Sequence, residues 1–148
     1  MKPNNKGFTL LELMVVLFIM VLGFSIIGLN LSSGNNATEH QRAARDIVSA
    51  LRYARGMALM LHRETAVTFD LNENSYMVNN RDKVFVIPET IKVTVVTTQS
   101  QLLGQNQGSI RFFADGSSTG GRVSLKRGEN QWQIDINWLT GQIELKNN

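Results

Sequence analysis

Residues 8–31 form an almost unbroken apolar run whose one charged member is Glu12. Thr9, Gly23, Ser25, Gly28 and Asn30 are its other interruptions. Wound as a helix, such a run spans roughly 36 Å, enough to cross a hydrocarbon core of about 30 Å with some tilt. Lys2 and Lys6 stand just ahead of it, which predicts a cytoplasmic N-terminus and an exported C-terminal part. The rest of the fold has to be built from what is left. After the run, about 110 residues remain for a folded head, which allows one core and not two.

A secretory signal places its cleavage site after the apolar stretch, behind small residues. Here no A-x-A pattern follows the run, and Gly7 precedes it at the charged end. The order Lys6-Gly7-Phe8-Thr9-Leu10-Leu11-Glu12-Leu13 resembles the class III signal of type IV pilins and pseudopilins. The resemblance implies that a prepilin peptidase cuts after Gly7, that the new terminus at Phe8 is N-methylated, and that the apolar helix stays on the mature protein. Residues 1–7 are then a cleaved leader, 8–31 a transmembrane and assembly helix, and 32–148 a periplasmic head.

A carboxylate inside a membrane costs at least ~2.5 kcal/mol on insertion scales and needs a partner. After cleavage the α-amine of Phe8 is a cation at nearly the same depth. The resemblance implies that Glu12 pairs with the N-terminal amine of a neighbouring subunit, and a buried charge pair of this kind sets register. The competing reading is a plain anchor whose glutamate snorkels to water. Gly23 and Gly28 carry two readings: small residues that let membrane helices approach closely, or weak points where the helix melts during assembly, as the resemblance suggests.

Ser32-Ser33-Gly34-Asn35-Asn36 is a poor helix former and predicts the exit from the membrane. Thr38-Glu39-His40-Gln41 has the form of a capping box. Ala43, Ile47, Leu51, Ala54, Ala58 and Leu61 follow at spacings of three and four, one apolar stripe on an amphipathic helix. Beyond His62 the period changes to two. Strands are expected over 65–71, 75–78, 83–87, 91–97, 109–113, 122–126, 131–138 and 142–146, with a loop over 102–108. The expected fold is α+β: a long N-terminal helix, half membrane and half amphipathic, packed on an antiparallel β-sheet head in a pilin-like arrangement.

The C-terminal part narrows the resemblance. Phe112-Phe113-Ala114-Asp115-Gly116-Ser117-Ser118-Thr119-Gly120-Gly121, followed by Trp138-Leu139-Thr140-Gly141, is similar to the H-type minor pseudopilin branch of type II secretion. Asp115, Gly116, Gly120 and Gly121 are the loop residues this likeness singles out. Ala114 departs from it, standing where Pro is expected. The implied partners are other pseudopilins, major and minor, with the prepilin peptidase and inner-membrane lipid. A minor pilin of a type IV pilus is the alternative.

Catalytic patterns are outweighed. Gly116-Ser117-Ser118-Thr119-Gly120 matches the G-x-S-x-G nucleophile elbow, but strand and not helix is expected after it, and both histidines, His40 and His62, precede Ser118. Asp70-Leu71-Asn72-Glu73-Asn74-Ser75 opens like a calcium loop, yet Ser75 and Arg81 stand where Gly and Glu are required. The chain has no cysteine, which excludes disulfides and zinc-thiolate sites. No enzyme activity, cofactor, metal or small-molecule substrate is expected. Removing Lys2 and Lys6 from the formal charge of +3 leaves about +1, far from the excess of nucleic-acid binders. Arg42, Arg45, Arg52, Arg55 and Arg63 are therefore read as a solvated or ion-paired face rather than a DNA stripe. Trp132 and Trp138, an even number apart, are expected on one side of a strand, packed in the core, with an exposed partner-binding pair as the alternative.

Overall fold

The computed structural model describes residues 10–97 and 106–147, with side chains outside 22–37. Among the described residues helix α1 (Leu10–Leu61) is followed by eight strands: β1 (Thr65–Asp70), β2 (Ser75–Val78), β3 (Val84–Val86), β4 (Lys92–Val96), β5 (Gln107–Phe112), β6 (Gly121–Arg127), β7 (Asn130–Ile136) and β8 (Ile143–Asn147). The chain divides into two compact units, Met1–Thr38 and Glu39–Asn148.

In the first unit every large apolar side chain from Leu10 to Val21 is exposed. Among the described residues no helix is long and apolar enough to cross a membrane. The expected span falls partly outside them, at 8 and 9 and in the side chains of 22–31.

The second unit is a helix on two antiparallel sheets. One has the order β3-β2-β1-β5 and the other β4-β6-β7-β8. The expectation of a single sheet is thus refined to two. The apolar stripe of α1 enters the core through Ala44, Ile47, Val48, Leu51, Ala54 and Ala58. Burying an Ile or Leu of this kind is worth about 1.5–3 kcal/mol. Leu61, expected on the stripe, is exposed, because α1 stops there and His62 turns into the left-handed region at φ 51. The sheets answer with alternate residues: Val67 and Phe69 from β1, Ile110 and Phe112 from β5, Val123 and Leu125 from β6, and Ile134 from β7 are all fully buried. Gly108 of β5 lets the two sheets meet, since a Cβ there would lie 2.8 Å from Val95 Cγ1 of β4.

Three expectations are corrected. The backbone is helical through 32–41, so Thr38 is no N-cap. Helix propagation costs far less than nucleation, and a stretch of poor formers between good ones is carried along. The neighbours of Thr38 are used otherwise: His40, buried, places Nε2 3.0 Å from the Leu125 carbonyl oxygen, and Arg127 Nη1 donates to Glu39 Oε2 at 2.9 Å. Secondly, Gln107 and Gly108 are strand and not loop, paired with Asp70 and Phe69; residues 102–105 of that expected loop lie outside the described residues. Thirdly, β7 ends at Ile136 and does not reach Trp138.

Candidate assembly surfaces

The residues singled out at the N-terminus are only partly visible. Gly7 and Phe8 lie outside the described residues. Glu12 sits in the first turn of α1 on an exposed apolar surface that includes Leu11, Leu13 and Val16.

In the head, the two C-terminal motifs come together on α1. After Phe112 the chain turns through Asp115 and Gly116. Asp115 Oδ1 accepts the Ser117 amide at 2.9 Å and the Ser117 hydroxyl at 2.6 Å. The hydroxyl first, then the amide, hold the Asp115 carboxyl below the usual carboxylate range. Gly116 takes φ 85, and its amide donates back to the Phe113 carbonyl at 2.9 Å. Gly120 and Gly121, at φ 68 and 145, lead into β6. Side-chain carbons there would lie 2.8 Å from Trp138 Cβ and 2.6 Å from the Val96 carbonyl oxygen respectively.

The second motif is a tight turn between β7 and β8. Asn137 Oδ1 accepts the amides of Leu139 and Thr140 at 2.9 and 3.1 Å, and the Asn137 carbonyl accepts Gly141 N at 2.9 Å. Ser118 ties one motif to the other: its amide donates to the Trp138 carbonyl at 2.8 Å and its hydroxyl to the Asn137 carbonyl at 3.0 Å. The Ser118 hydroxyl also accepts Gly120 N at 3.0 Å. It is buried structural glue, with strand and not helix following it. Arg55 of α1 closes the junction, donating from Nε to the Gly116 carbonyl at 3.2 Å and from Nη2 to the Thr140 carbonyl at 2.9 Å.

Asp70 is turn-forming: Oδ1 accepts the amides of Asn72 and Glu73, and the Glu73 bond is the main reason its carboxyl lies low. Among the described residues no cluster of His, Cys, Asp and Glu could hold a metal. Arg42, Arg45 and Arg52 are exposed. Trp132 packs against the core as expected, but Trp138 is 66% exposed on the turn. Sequence reasoning missed Arg55 as the tie and favoured the core over the surface for Trp138.

On the outer face of the second sheet Asp135 accepts Arg122 Nε at 2.6 Å and Lys146 Nζ at 3.1 Å. Burial pushes its carboxyl up, and these partners with Gln133 outweigh that and hold it low. A groove of about 390 Å³ runs between α1 and β3, lined by Asp46, Tyr76 and Phe85 among others. Burial, then the Asp46 charge, push the Tyr76 hydroxyl up to about 12.

Against known proteins, residues 43–141 match the family described as type II transport protein GspH. Residues 2–28 match the prokaryotic N-terminal methylation motif. The chain is similar to the type II secretion system protein H of Xanthomonas campestris pv. campestris, 28% identical over 93% of this chain and 81% of that protein. Its fold is similar to the minor pseudopilin EpsH of the Vibrio cholerae type 2 secretion system, with TM-score 0.58 and 13% identity over 73% of this chain and 96% of the other. It is equally similar to the type IV minor pilin FimU of Pseudomonas aeruginosa, with TM-score 0.58 and 14% identity over 75% and 90%.

Proposed function

The chain belongs to the type II transport protein GspH family, and from that premise we infer that it is a minor pseudopilin of a type II secretion system. It enters or caps a periplasmic pseudopilus that drives folded proteins across the outer membrane. The observation that carries this reading is the joint match in one chain: an N-terminal methylation motif at the start and a GspH head behind it.

The physical roles follow. Residues 1–7 are the leader, removed after Gly7 by a prepilin peptidase, and Phe8 becomes the methylated terminus. Residues 8–31 anchor the chain in the inner membrane by a single pass, with the head of 32–148 in the periplasm. Glu12 pairs with the terminal amine of a neighbour, because an unpaired carboxylate in lipid is costly. Asp115, Gly116, Gly120 and Gly121 shape the head loop on which the second motif rests. The chain is a structural subunit without a reaction of its own, and its partners are the other pseudopilins, not nucleic acid or a small molecule. Fold likeness to a type IV minor pilin at 14% identity favours neither role; the family match is what supports secretion.

Deleting the gene for this chain should strand folded exoproteins in the periplasm, and the wild-type gene should restore their release. Normal release, with loss of surface motility or DNA uptake instead, would replace the reading by a minor pilin of a type IV pilus.

A further inference from the structure

The turn between β7 and β8 carries Trp138 and Leu139 at its apex, 66% and 64% exposed. These side chains do not sit on a loose loop. The backbone around them is held by Asn137 from below, by Ser118 from the side, and by Arg55 through the Thr140 carbonyl. Gly120 brings the neighbouring loop against Trp138 Cβ. Leu59 of α1, also exposed, lies against the same junction at Gly116. A rigid, water-facing aromatic loses little conformational entropy on binding, and such residues dominate interface energetics.

We propose that Trp138 and Leu139 form a docking knob for an apolar concavity on the head of a different pilin-like subunit in the same assembly. This rests on the functional reading above. Size and charge select the occupant. With Leu59, the knob offers on the order of 300 Å² of apolar surface, below the ~800 Å² per partner of a stable free complex. It suits a neighbour already held alongside by its membrane helix, where effective concentration is high. The turn, Asn137-Trp138-Leu139-Thr140-Gly141-Gln142, has no charged side chain, and the Arg55 guanidinium beside it is spent on two carbonyl oxygens. The turn itself thus supplies no free cation of the kind that holds peripheral proteins on anionic lipid.

The test uses the full-length chain, expressed with the other pseudopilins of its own system and purified in detergent. In Trp138→Ser/Leu139→Ser, recovery of the partner pseudopilin should fall at least about tenfold, with membrane level, processing and head circular dichroism unchanged. Because the chain has no cysteine, Leu139→Cys gives a second readout that does not require removing Trp138: a short bifunctional thiol–amine reagent should link it to that partner. Equal recovery by the serine variant, or linkage of Leu139→Cys to lipid or to a second copy of the chain alone, overturns the proposal while leaving the secretion role intact. If the wild-type chain recovers no pseudopilin at all, the functional reading falls with it.

Discussion

Gly116 and Gly141 approach so closely that a side-chain carbon on Gly141 would overlap the Gly116 carbonyl oxygen. Arg55 Nε would lie 2.8 Å from the same carbon, and Gly141 takes φ 63. The two glycines belong to separate motifs, and their contact is what lets the motifs share one arginine.

Gly141→Ala should therefore be costly. Left-handed backbone and a blocked position together predict a loss of at least about 2 kcal/mol. Gly128 is the control: its φ is 57, but the space around it is open, so Gly128→Ala should cost only about 1 kcal/mol. Urea unfolding of a soluble fragment starting at Ala37 measures both, and that fragment should itself fold as α+β by circular dichroism. Equal losses for the two variants would show that the Gly116 contact is unimportant.

Arg55→Met keeps much of the apolar stem and removes both donations to Gly116 and Thr140. The expected loss is about 1–3 kcal/mol, read in the same unfolding experiment. Arg52→Met, on the exposed side of the helix, should change stability by less than about 0.5 kcal/mol. A neutral Arg55→Met would mean water replaces the guanidinium without penalty.

At the other end of the chain, processing and assembly should separate. Gly7→Leu should leave the leader attached by intact mass, with no methylated Phe8. Glu12→Val should be processed and inserted normally yet fail to support secretion. Normal secretion by Glu12→Val would remove the charge-pairing account.

Acid should loosen the head in a defined way. The carboxyls of Asp115 and Asp135 lie below the usual range in the folded chain. Groups depressed on folding stabilise above their unfolded value of about 3.9 and lose that contribution as pH falls through the folded value. Asp115→Asn/Asp135→Asn should thus start less stable at pH 7 and lose less melting temperature than wild type between pH 5 and pH 3. Parallel acid curves would place the sensitivity elsewhere.

The eight strands among the described residues were legible because most of them bury one face, while β3, with no fully buried residue, was legible from its short apolar run ahead of Pro88. In β4, for example, Val93 and Val95 are buried between exposed Lys92, Thr94 and Val96. The division into two sheets was not legible, because partners are chosen by packing far along the chain. Trp138 was misplaced by assuming a regular strand from Trp132. The signal against it was local: Asn137 opens an Asx turn and Gly141 closes it. Arg55 had no local signal at all, since its acceptors lie 61 and 85 residues away and its neighbours include three other arginines on the same helix. The break expected at 32–36 came from propensity, which cooperative helix formation overrides.

The strand orders β3-β2-β1-β5 and β4-β6-β7-β8 interleave in sequence, with β4 and β5 each belonging to the sheet the other's neighbours do not. Strands taken in chain order can pair β1 with β2 and β2 with β3, but β4 has no partner until β6 arrives. The first sheet likewise lacks an edge until β5 follows. Neither sheet is complete before β5 is available, and closure awaits contacts far apart in sequence, which form slowly. The interleaving thus ties completion of either sheet to strands in the last third of the chain.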